Sequence, residues 1–539
     1  MEQLNFPQSF FEDEVRDGFF VPGMMKRYWA EELEVLHTFA DICERHNIPW
    51  CAGEGTLIGA VRHHGFIPWD DDIDVYIMRD DAQRFLDAAR QELPKAYTVM
   101  TTADDAIILN SLIRLANGIY LHASLEDLEQ HHGCPYPAGI DIFLLDGIFP
   151  DETKEQERMA RVTELRKAVE KAWDKPNFKD LRMQKEKAYA ACPVRDAEEI
   201  ILFWEPGNRT ARFRKEWFAS YRDVPFETTT IRIPVGYDQV LRTIYGDYHT
   251  PYRAGGGHGY PCYRNQQEIY EKSAGHRPLA YTFSEEDATR ERPVTKRGQI
   301  ERTLQTVAAL REKVQLLQSS GNAALADQLR AGLTQAETAL QEQSGGRDWN
   351  SKKKEILFLP VRAAWWPAME NAYREAMADE NTDVFVMPLP WYEKNLDGTT
   401  GAEHDERELF PDEIETVSLE EYHVAARCPD VIVTQYPFDG FSLYMTVPPF
   451  FFAENLPAYT EKLVYVPCFL PDTPAENEAK ARITLQFLIE QPAVMFADEV
   501  FVPTEGMRAV YIDWLCRLGG ESLRDIWERK IQSGSVVCH

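Results

Sequence analysis

The spacing of apolar residues divides the chain into regions that predict different kinds of structure. Over residues 24–46, apolar side chains recur every three or four positions, which predicts an amphipathic helix. Short segments at residues 49–52, 72–78 and 141–145 carry apolar residues next to glycine, proline or aspartate and predict strands. A further helix is predicted over residues 80–92. The first part of the chain therefore mixes helices with strands.

From residue 355 onward the pattern changes to apolar strands that alternate with helices. Helices are predicted near residues 367–377 and 475–489, between the continuous apolar runs EILFLP, DVFVMP, DVIVTQYP, KLVYVP and EVFVP. Strands that are buried on both faces and separated by helices are typical of a parallel, doubly wound sheet. This region therefore predicts an α/β domain with a Rossmann-like sheet.

A charged, proline-containing segment and a pair of helices separate these two regions. Residues 286–298 are predicted to be a linker, and two apolar helix faces follow on either side of a break at residues 319–322. This pattern predicts an antiparallel helical hairpin, which would be a spacer or a contact that forms a homo-oligomer. The sequence thus predicts three regions, residues 1–285, 286–354 and 355–539.

Composition excludes several classes of protein. Of the 539 residues, 44% are hydrophobic and 12% aromatic, which indicates folded domains rather than disorder. The formal net charge of −30 argues against nucleic acid as a partner, because binding a phosphate backbone requires a basic surface. The same charge disfavours docking on anionic lipid.

Targeting signals are also not expected. The N-terminus lacks a basic start with an apolar run, and no window is apolar enough to span a bilayer, so we expect neither a signal peptide nor a transmembrane segment. The nine cysteines include no CxxC pair and fit a reducing compartment. These features predict a cytoplasmic protein, and they are compatible with a position near the inner face of the cell membrane.

The stretch AGEGTLIGAVRHHGFIPWDDDIDVYIM, residues 52–78, carries the clearest chemical signal. If Asp72 and Asp74 lie on one strand, their side chains point to the same face, because side chains alternate along a strand. Paired carboxylates provide hard oxygen ligands for Mg²⁺ or Mn²⁺, the ions that bridge phosphates in phosphoryl-transfer enzymes. Asp70 and Asp71 precede the pair, and either is a candidate to accept the proton of an attacking hydroxyl.

Other residues of this stretch are suited to binding a phosphate. Gly55 permits close approach of the backbone to a ligand, and Arg62 and His63 add positive or titratable groups. Thr56 is either the N-cap of a short helix over residues 57–62 or a phosphate contact. An isolated acidic triplet is usually a charged turn, but its combination with glycines and basic residues favours a metal–phosphate site.

The sequence GTLIGAVRHHGFIPWDDDIDVYIMR resembles the signature of the LicD family, to which the fukutin-type enzymes are related. The resemblance extends, with interruptions, over residues 28–263. It implies a nucleotidyltransferase-like fold. It also implies transfer of a phospho-alcohol, such as phosphocholine or a polyol phosphate, from a CDP-activated donor to a glycan.

The resemblance also assigns residues outside this signature. It implies that Asp141, at the start of an adjacent strand, completes a metal site with Asp72 and Asp74. Arg114 occupies a place where related sequences carry a basic residue, and it would contact the donor phosphate or form a structural salt bridge. The segment around residues 245–248 is similar to the family's closing motif, and its members would lie near the substrate or form a packed corner; the candidates there are Tyr245 and Asp247.

A second resemblance concerns the last region. The segments FLPVRAAWWPAMENAYREA, VMPLPWYEKNLDG and DVIVTQYPFDGF resemble the amino-terminal half of CDP-glycerol glycerophosphotransferases. Those enzymes have a two-domain GT-B architecture, in which the donor nucleotide binds mainly to the carboxy-terminal half. No such half is visible in this sequence, so we expect an acceptor-binding or assembly role for this region.

Three functions are consistent with these patterns. The leading one is Mg²⁺-dependent transfer of a phospho-alcohol (phosphocholine, glycerol phosphate or ribitol phosphate) from a CDP-activated donor to a cell-surface polysaccharide, teichoic acid or lipopolysaccharide. The second is a nucleotidyltransferase that makes an activated CDP-alcohol. The third is a non-catalytic scaffold that binds glycan or assembles with a partner, and the intact aspartate pair argues against it.

Overall fold

The polypeptide forms two compact units. The first unit comprises Met1–Asp17, Val21–Ser273 and Asn477–Lys480, and the second comprises Gly18–Phe20, Ala274–Glu476 and Ala481–His539. The region boundaries expected at residues 285 and 354 remain predictions. The computed structural model describes residues 4–104, 111–173, 175–204, 209–253, 259–274, 281–319, 322–342, 344–348 and 351–534.

Up to residue 274, helices and short strands are interleaved. The helices are α1 (Gly23–Arg45), α2 (Glu54–Ile58), α3 (Ala82–Glu92), α4 (Leu125–Gln130), α5 (Glu152–Lys171), α6 (Phe178–Tyr189), α7 (Tyr237–Tyr245) and α8 (Arg264–Ala274). The strands are β1 (Glu14–Arg16), β2 (Phe19–Val21), β3 (Trp50–Ala52), β4 (Asp74–Met78), β5 (Thr98–Met100), β6 (Leu112–Ala116), β7 (Gly139–Gly147), β8 (Glu199–Phe203), β9 (Thr210–Arg214), β10 (Tyr221–Phe226) and β11 (Thr229–Pro234). The helices predicted over residues 24–46 and 80–92 are confirmed as α1 and α3.

A seven-stranded mixed sheet lies at the centre of the first unit. Its strands run in the order β3-β4-β7-β6-β5, and β8 and β9 extend it from β7. The pairing of β4 with β7 is parallel, whereas β3 and β6 run antiparallel to their neighbours. The long helix α1 buries Trp29, Leu36 and Phe39. This mixture of helices and a mixed sheet confirms the predicted fold class for this part of the chain.

After residue 280 the second unit contains nine helices and nine strands among its described residues. The helices are α9 (Glu285–Thr289), α10 (Lys296–Ser319), α11 (Ala323–Glu342), α12 (Pro367–Ala378), α13 (Val424–Arg427), α14 (Ala479–Ile489), α15 (Pro492–Phe496), α16 (Glu505–Gly519) and α17 (Arg524–Lys530). The strands are β12 (Lys354–Leu359), β13 (Thr382–Val386), β14 (Trp391–Lys394), β15 (Thr400–His404), β16 (Val431–Thr434), β17 (Met445–Thr446), β18 (Lys462–Tyr465), β19 (Glu499–Val502) and β20 (Ile531–Ser533). Within the described part of the whole chain, no helix combines the length and apolar character that crossing a bilayer requires.

A six-stranded parallel sheet forms the core of the second unit. Its order is β13-β12-β16-β18-β19-β20, and every neighbouring pair is parallel. Apolar side chains of β12 and β16 pack against Trp366 and Met369. The predicted parallel sheet is therefore confirmed. A small antiparallel sheet of β15, β14 and β17 was not expected, because β14 and β15 are largely polar and lack the apolar runs that mark a buried strand.

The helices α10 and α11 pack against each other, and residues 320 and 321 between them lie outside the described residues. The start of α10 and the segment after α11 each hydrogen-bond to the carboxylate of Asp430. Asp430 Oδ2 accepts hydrogen bonds from Arg347 Nη2 at 2.5 Å and from the Glu355 amide at 2.7 Å. Asp430 Oδ1 accepts a hydrogen bond from Arg297 Nη1. Asp430 therefore fixes the base of the two helices in front of strand β16.

We expect Asp430→Asn to destabilise the second unit by about 3 kcal/mol, because two largely buried guanidinium groups lose their anionic partner. Urea unfolding of the full chain measures the change in the free energy of unfolding. Asp383→Asn is the matched control, since its pair with Lys353 is about half exposed and should contribute less than ~1 kcal/mol. Equal losses in the two variants would contradict the role given to Asp430.

Candidate active site

Three neighbouring strands bring two carboxylates and a guanidinium to the same level of the central sheet. Asp74 on β4 is the register partner of Asp141 on β7, and Arg114 on β6 is opposite Asp141 on its other side. Arg114 Nη1 donates a hydrogen bond to Asp141 Oδ1 at 2.8 Å. The Asp141 charge raises the pKa of Arg114. Arg114 thus forms the salt bridge that was one of its two expected roles.

The other aspartates lie in the loop before β4. One carboxyl oxygen from each of Asp70, Asp71 and Asp72 lies within 4.8 Å of the others, in the only such group found among the described residues. Because β4 begins at Asp74, Asp72 is a loop residue, and the argument from strand alternation was wrong for it. Nevertheless, after burial, the charge of Asp72 is the largest cause of the raised pKa of Asp74.

Thr56 connects this loop to the first residue of β4. Its Oγ1 accepts a hydrogen bond from the Asp74 amide at 2.8 Å and donates one to the Asp72 carbonyl at 3.5 Å. The helix predicted over residues 57–62 begins earlier: α2 starts at Glu54 after Gly53, and a π-helical turn follows it. Thr56 is therefore inside the helix, and the N-cap prediction was wrong. Its hydroxyl holds the two aspartates in place.

Burial and crowding make this group of carboxylates unfavourable for negative charge. Burial raises the pKa of Asp74 well above its usual range, and the charges of Asp72 and Asp141 raise it further. An all-oxygen donor set of this kind matches the preference of Mg²⁺ or Mn²⁺. The residues thus fit a hard divalent cation, which would relieve their mutual repulsion.

Gly55 makes room for the side chain of Asp70. A Cβ atom at Gly55 would lie 2.2 Å from Asp70 Oδ2, far closer than van der Waals contact allows. Any larger residue would therefore displace the Asp70 side chain or the start of α2. The absence of a side chain at this position is a packing requirement of the aspartate loop.

Arg62 and His63 are engaged elsewhere. Arg62 Nη1 donates a hydrogen bond to the Tyr248 carbonyl at 2.5 Å. His63 Nε2 lies 3.3 Å from Asp17 Oδ2, and burial together with the Arg62 charge lowers the pKa of His63 to about 4. His63 is therefore neutral near pH 7 in this structure.

The two candidates from the closing motif differ in position. Tyr245 Oη donates a hydrogen bond to Glu54 Oε2 at 3.0 Å, which brings it next to the aspartates. Asp247 accepts hydrogen bonds from the His249 amide and the Thr250 hydroxyl, both at 3.1 Å, and closes an exposed turn. In this structure Tyr245 joins the candidate site and Asp247 does not.

Glu54 is a site residue that the sequence did not indicate. Its Oε1 accepts hydrogen bonds from Tyr76 Oη and Trp204 Nε1, both at 2.8 Å, and its backbone has a positive φ of 43°. Burial raises the pKa of Glu54. The charge of Glu54 is in turn one of the causes that raise the pKa of Asp74. A glutamate between two glycines carries no recognisable signal, because its partners are far apart in sequence.

Three further residues of the first unit were also missed. The Cys262 amide donates a hydrogen bond to Asp71 Oδ2 at 2.6 Å. Lys480 Nζ lies 3.8 Å from Asp70 Oδ1 and 3.9 Å from Asp71 Oδ1. Glu32 of α1 is fully buried. Burial raises the pKa of Glu32, and the charge of Asp72 is the next largest cause of that rise. Distant cysteines and lysines, and a charged residue on a helix, have no pattern that connects them with this loop.

The mixed sheet and its carboxylates lie in a domain of the nucleotidyltransferase class, because residues 47–107 match the model of the LicD/FKTN/FKRP nucleotidyltransferase domain. The lipopolysaccharide cholinephosphotransferase LicD of Haemophilus influenzae is 34% identical over 237 residues, which are 40% of this chain and 88% of that protein. The chain belongs to the LicD family.

Shorter similarities exist to two uncharacterised proteins of Rickettsia. The protein from Rickettsia typhi is 39% identical over 69 residues, and that from Rickettsia prowazekii is 41% identical over 59 residues. The matches cover 12% and 11% of this chain, and 22% of each relative. They carry no information about activity.

We expect Thr56→Val to destabilise the protein by about 1–3 kcal/mol, because the buried Asp74 amide loses its acceptor without gaining water. Thr56→Ser retains the hydroxyl and is the matched control. Chemical unfolding of both full-length variants measures the difference. If the valine variant were as stable as the serine variant, the hydroxyl bridge would have no energetic role.

Proposed function

We propose that this protein transfers a phospho-alcohol from a CDP-activated donor to a surface glycan, with phosphocholine as the first candidate for the transferred group. As a member of the LicD family the chain is a transferase of phosphorus-containing groups. The observation that supports the proposal is the gathering of Asp74, Asp141 and the 70–72 loop in a family whose relative is a lipopolysaccharide cholinephosphotransferase.

Mg²⁺ or Mn²⁺ is the proposed cofactor. Asp72, Asp74 and Asp141 would hold it, since their carboxylates are the crowded oxygen donors at the edge of β4 and β7. When bound, the cation would neutralise charge on the donor diphosphate. Arg114 orients the Asp141 carboxylate through their hydrogen bond and adds positive charge to the same region.

In the proposed reaction, the acceptor hydroxyl oxygen attacks the β-phosphorus of the donor. A new phosphorus–oxygen bond forms, the bond between the β-phosphorus and the bridging oxygen breaks, and CMP leaves with that electron pair. Asp70 is the proposed acceptor of the hydroxyl proton, because it is partly exposed, whereas Asp71 is fully buried and bonded to the Cys262 amide. Positioning and charge neutralisation would provide most of the rate enhancement.

We expect Asp72→Asn, Asp74→Asn and Asp141→Asn each to lower the transfer rate by roughly 10²–10³-fold or more, because the carboxylate charge is lost where the diphosphate is stabilised. Asp223→Asn is the control, since Asp223 lies in an exposed pair with Arg232 in the same unit. Release of CMP by purified full-length protein is measured, with far-UV circular dichroism as the check of folding. Near-normal turnover in any of the three would remove that residue from the proposed site.

The donor and the type of reaction are tested together. In the presence of Mg²⁺, CDP-choline, CDP-glycerol and CDP-ribitol are compared with CMP by thermal shift; a ligand at about 100 times its Kd stabilises the native state by roughly 2.7 kcal/mol. The true donor should raise Tm more than CMP does.

The alternative function, synthesis of a CDP-alcohol by a nucleotidyltransferase, is favoured by the name of the matched domain. Release of pyrophosphate from CTP, with no release of CMP from any CDP-alcohol, would favour that alternative.

The acceptor is proposed to be a cell-surface polysaccharide, teichoic acid or lipopolysaccharide, and the protein is proposed to meet it from the cytoplasmic side. The LicD protein of Haemophilus influenzae provides the precedent for lipopolysaccharide by its name.

For the second unit we propose acceptor binding or assembly, and the helices α10 and α11 are the proposed contact of a homo-oligomer.

A further inference from the structure

Glu32 is a buried acid for which the described residues provide no hydrogen-bond partner. Its side chain lies on α1 and has 0% exposure, and neither carboxyl oxygen has a hydrogen-bond partner among the described residues. A carboxyl group in such surroundings loses its hydration without compensation, and as an anion it would be strongly disfavoured. A buried polar group without a partner calls for an explanation, and an ion that binds there is one of them.

The electrostatic surroundings of Glu32 are mainly negative. Burial raises the pKa of Glu32 most, and the charges of Asp72 and Asp71 raise it further. Arg114 is the nearby cation that counteracts them, but its guanidinium already donates a 2.8 Å hydrogen bond to Asp141. Glu32 therefore adds a further acidic group to the aspartate cluster from the helix side.

The adjacent glutamate, Glu31, shows that the fold can provide hydrogen-bond partners for a buried carboxylate on α1. Glu31 is also buried, with 2% exposure, and its Oε2 accepts hydrogen bonds from Asn117 Nδ2 at 2.6 Å and from His131 Nδ1 at 2.8 Å. Two neighbouring glutamates of α1 thus differ in one respect. Glu31 has partners within the protein. Glu32 lies three residues after Trp29, on the same face of α1, and Trp29 Nε1 donates a hydrogen bond to the Asp70 carbonyl at 3.2 Å.

We propose that Glu32 is a ligand, directly or through one water, of the divalent cation that binds at the aspartate cluster. This inference rests on the proposed function, because it presupposes that such a cation binds. Asp72 would supply a carboxylate from the loop, Asp74 and Asp141 would supply two from the sheet, and Glu32 would supply one from α1. A hard cation with oxygen ligands is the chemical partner that satisfies both Glu32 oxygens and the crowded aspartates together.

Metal affinity of the full-length protein, stripped with EDTA, tests the proposal without donor or acceptor. Mn²⁺ binding is measured by calorimetry and by the electron paramagnetic resonance signal of free Mn²⁺. We expect Glu32→Gln to weaken Mn²⁺ binding by roughly 10–100-fold, the range seen when groups that support metal ligands are removed. Glu31→Gln is the matched control and should leave the affinity unchanged, since Glu31 faces Asn117 and His131.

Thermal unfolding of the metal-free variants separates a ligand from a structural residue. Glu32→Gln should have a Tm no lower than that of the unsubstituted protein, because no hydrogen bond is broken and one acidic group leaves a crowded cluster. Glu31→Gln should have a lower Tm, because it perturbs two buried hydrogen bonds. A lower Tm for Glu32→Gln with unchanged Mn²⁺ affinity would overturn the proposal.

Two further variants make every outcome informative. If Glu32→Gln failed to fold, Glu32→Asp would retract the carboxylate by one methylene, and unchanged Mn²⁺ affinity in that variant would overturn the proposal. Asp74→Asn separates this inference from the proposed function. Loss of affinity in Asp74→Asn together with full affinity in Glu32→Gln would refute only the role of Glu32, whereas absence of Mn²⁺ binding in the unsubstituted protein would refute the proposed cofactor as well.

Discussion

Repulsion between carboxylates is the constraint on which the first unit depends. Burial raises the pKa of Asp74, and the charges of Asp72, Asp141 and Asp70 raise it further. The aspartates of this cluster are fixed by contacts that do not themselves carry negative charge: strand pairing, the Thr56 hydroxyl and the Cys262 amide. The fold therefore stores an unfavourable arrangement of charge that a polyvalent cation would relieve.

The sequence indicated which stretch contains the candidate site better than it indicated the geometry of that site. Apolar periodicity was sufficient to locate α1, α3 and the parallel sheet of the second unit, because each is long or repeats a strong pattern. The acidic motif lies in the loop where three aspartates come together, but β4 starts two residues later than strand alternation required for Asp72. Glu32, Glu54 and Lys480 were beyond prediction, because their positions depend on contacts between segments that are distant in sequence.

The second unit shows a different balance between apolar packing and charge. Its parallel sheet follows from apolar runs, and these are readable in the sequence. The base of α10 and α11 is instead held by Asp430, which sits between two arginines that are about fifty residues apart in the chain. A carboxylate before an apolar strand looks like an ordinary surface residue, so its bridging role became visible only when the chain was folded.

Arg114, Asp141 and Asp74 are register partners on three neighbouring strands, and this limits where the chain can gain or lose residues during evolution. Side chains alternate between the two faces of a sheet, so inserting or deleting one residue in β7 ahead of Asp141 would turn its carboxylate to the opposite face. Arg114 would then lose its partner, and no single substitution would restore the arrangement. Changes of chain length in descendants of this protein should accumulate in the connecting loops, while the spacing within β6 and β7 stays constant.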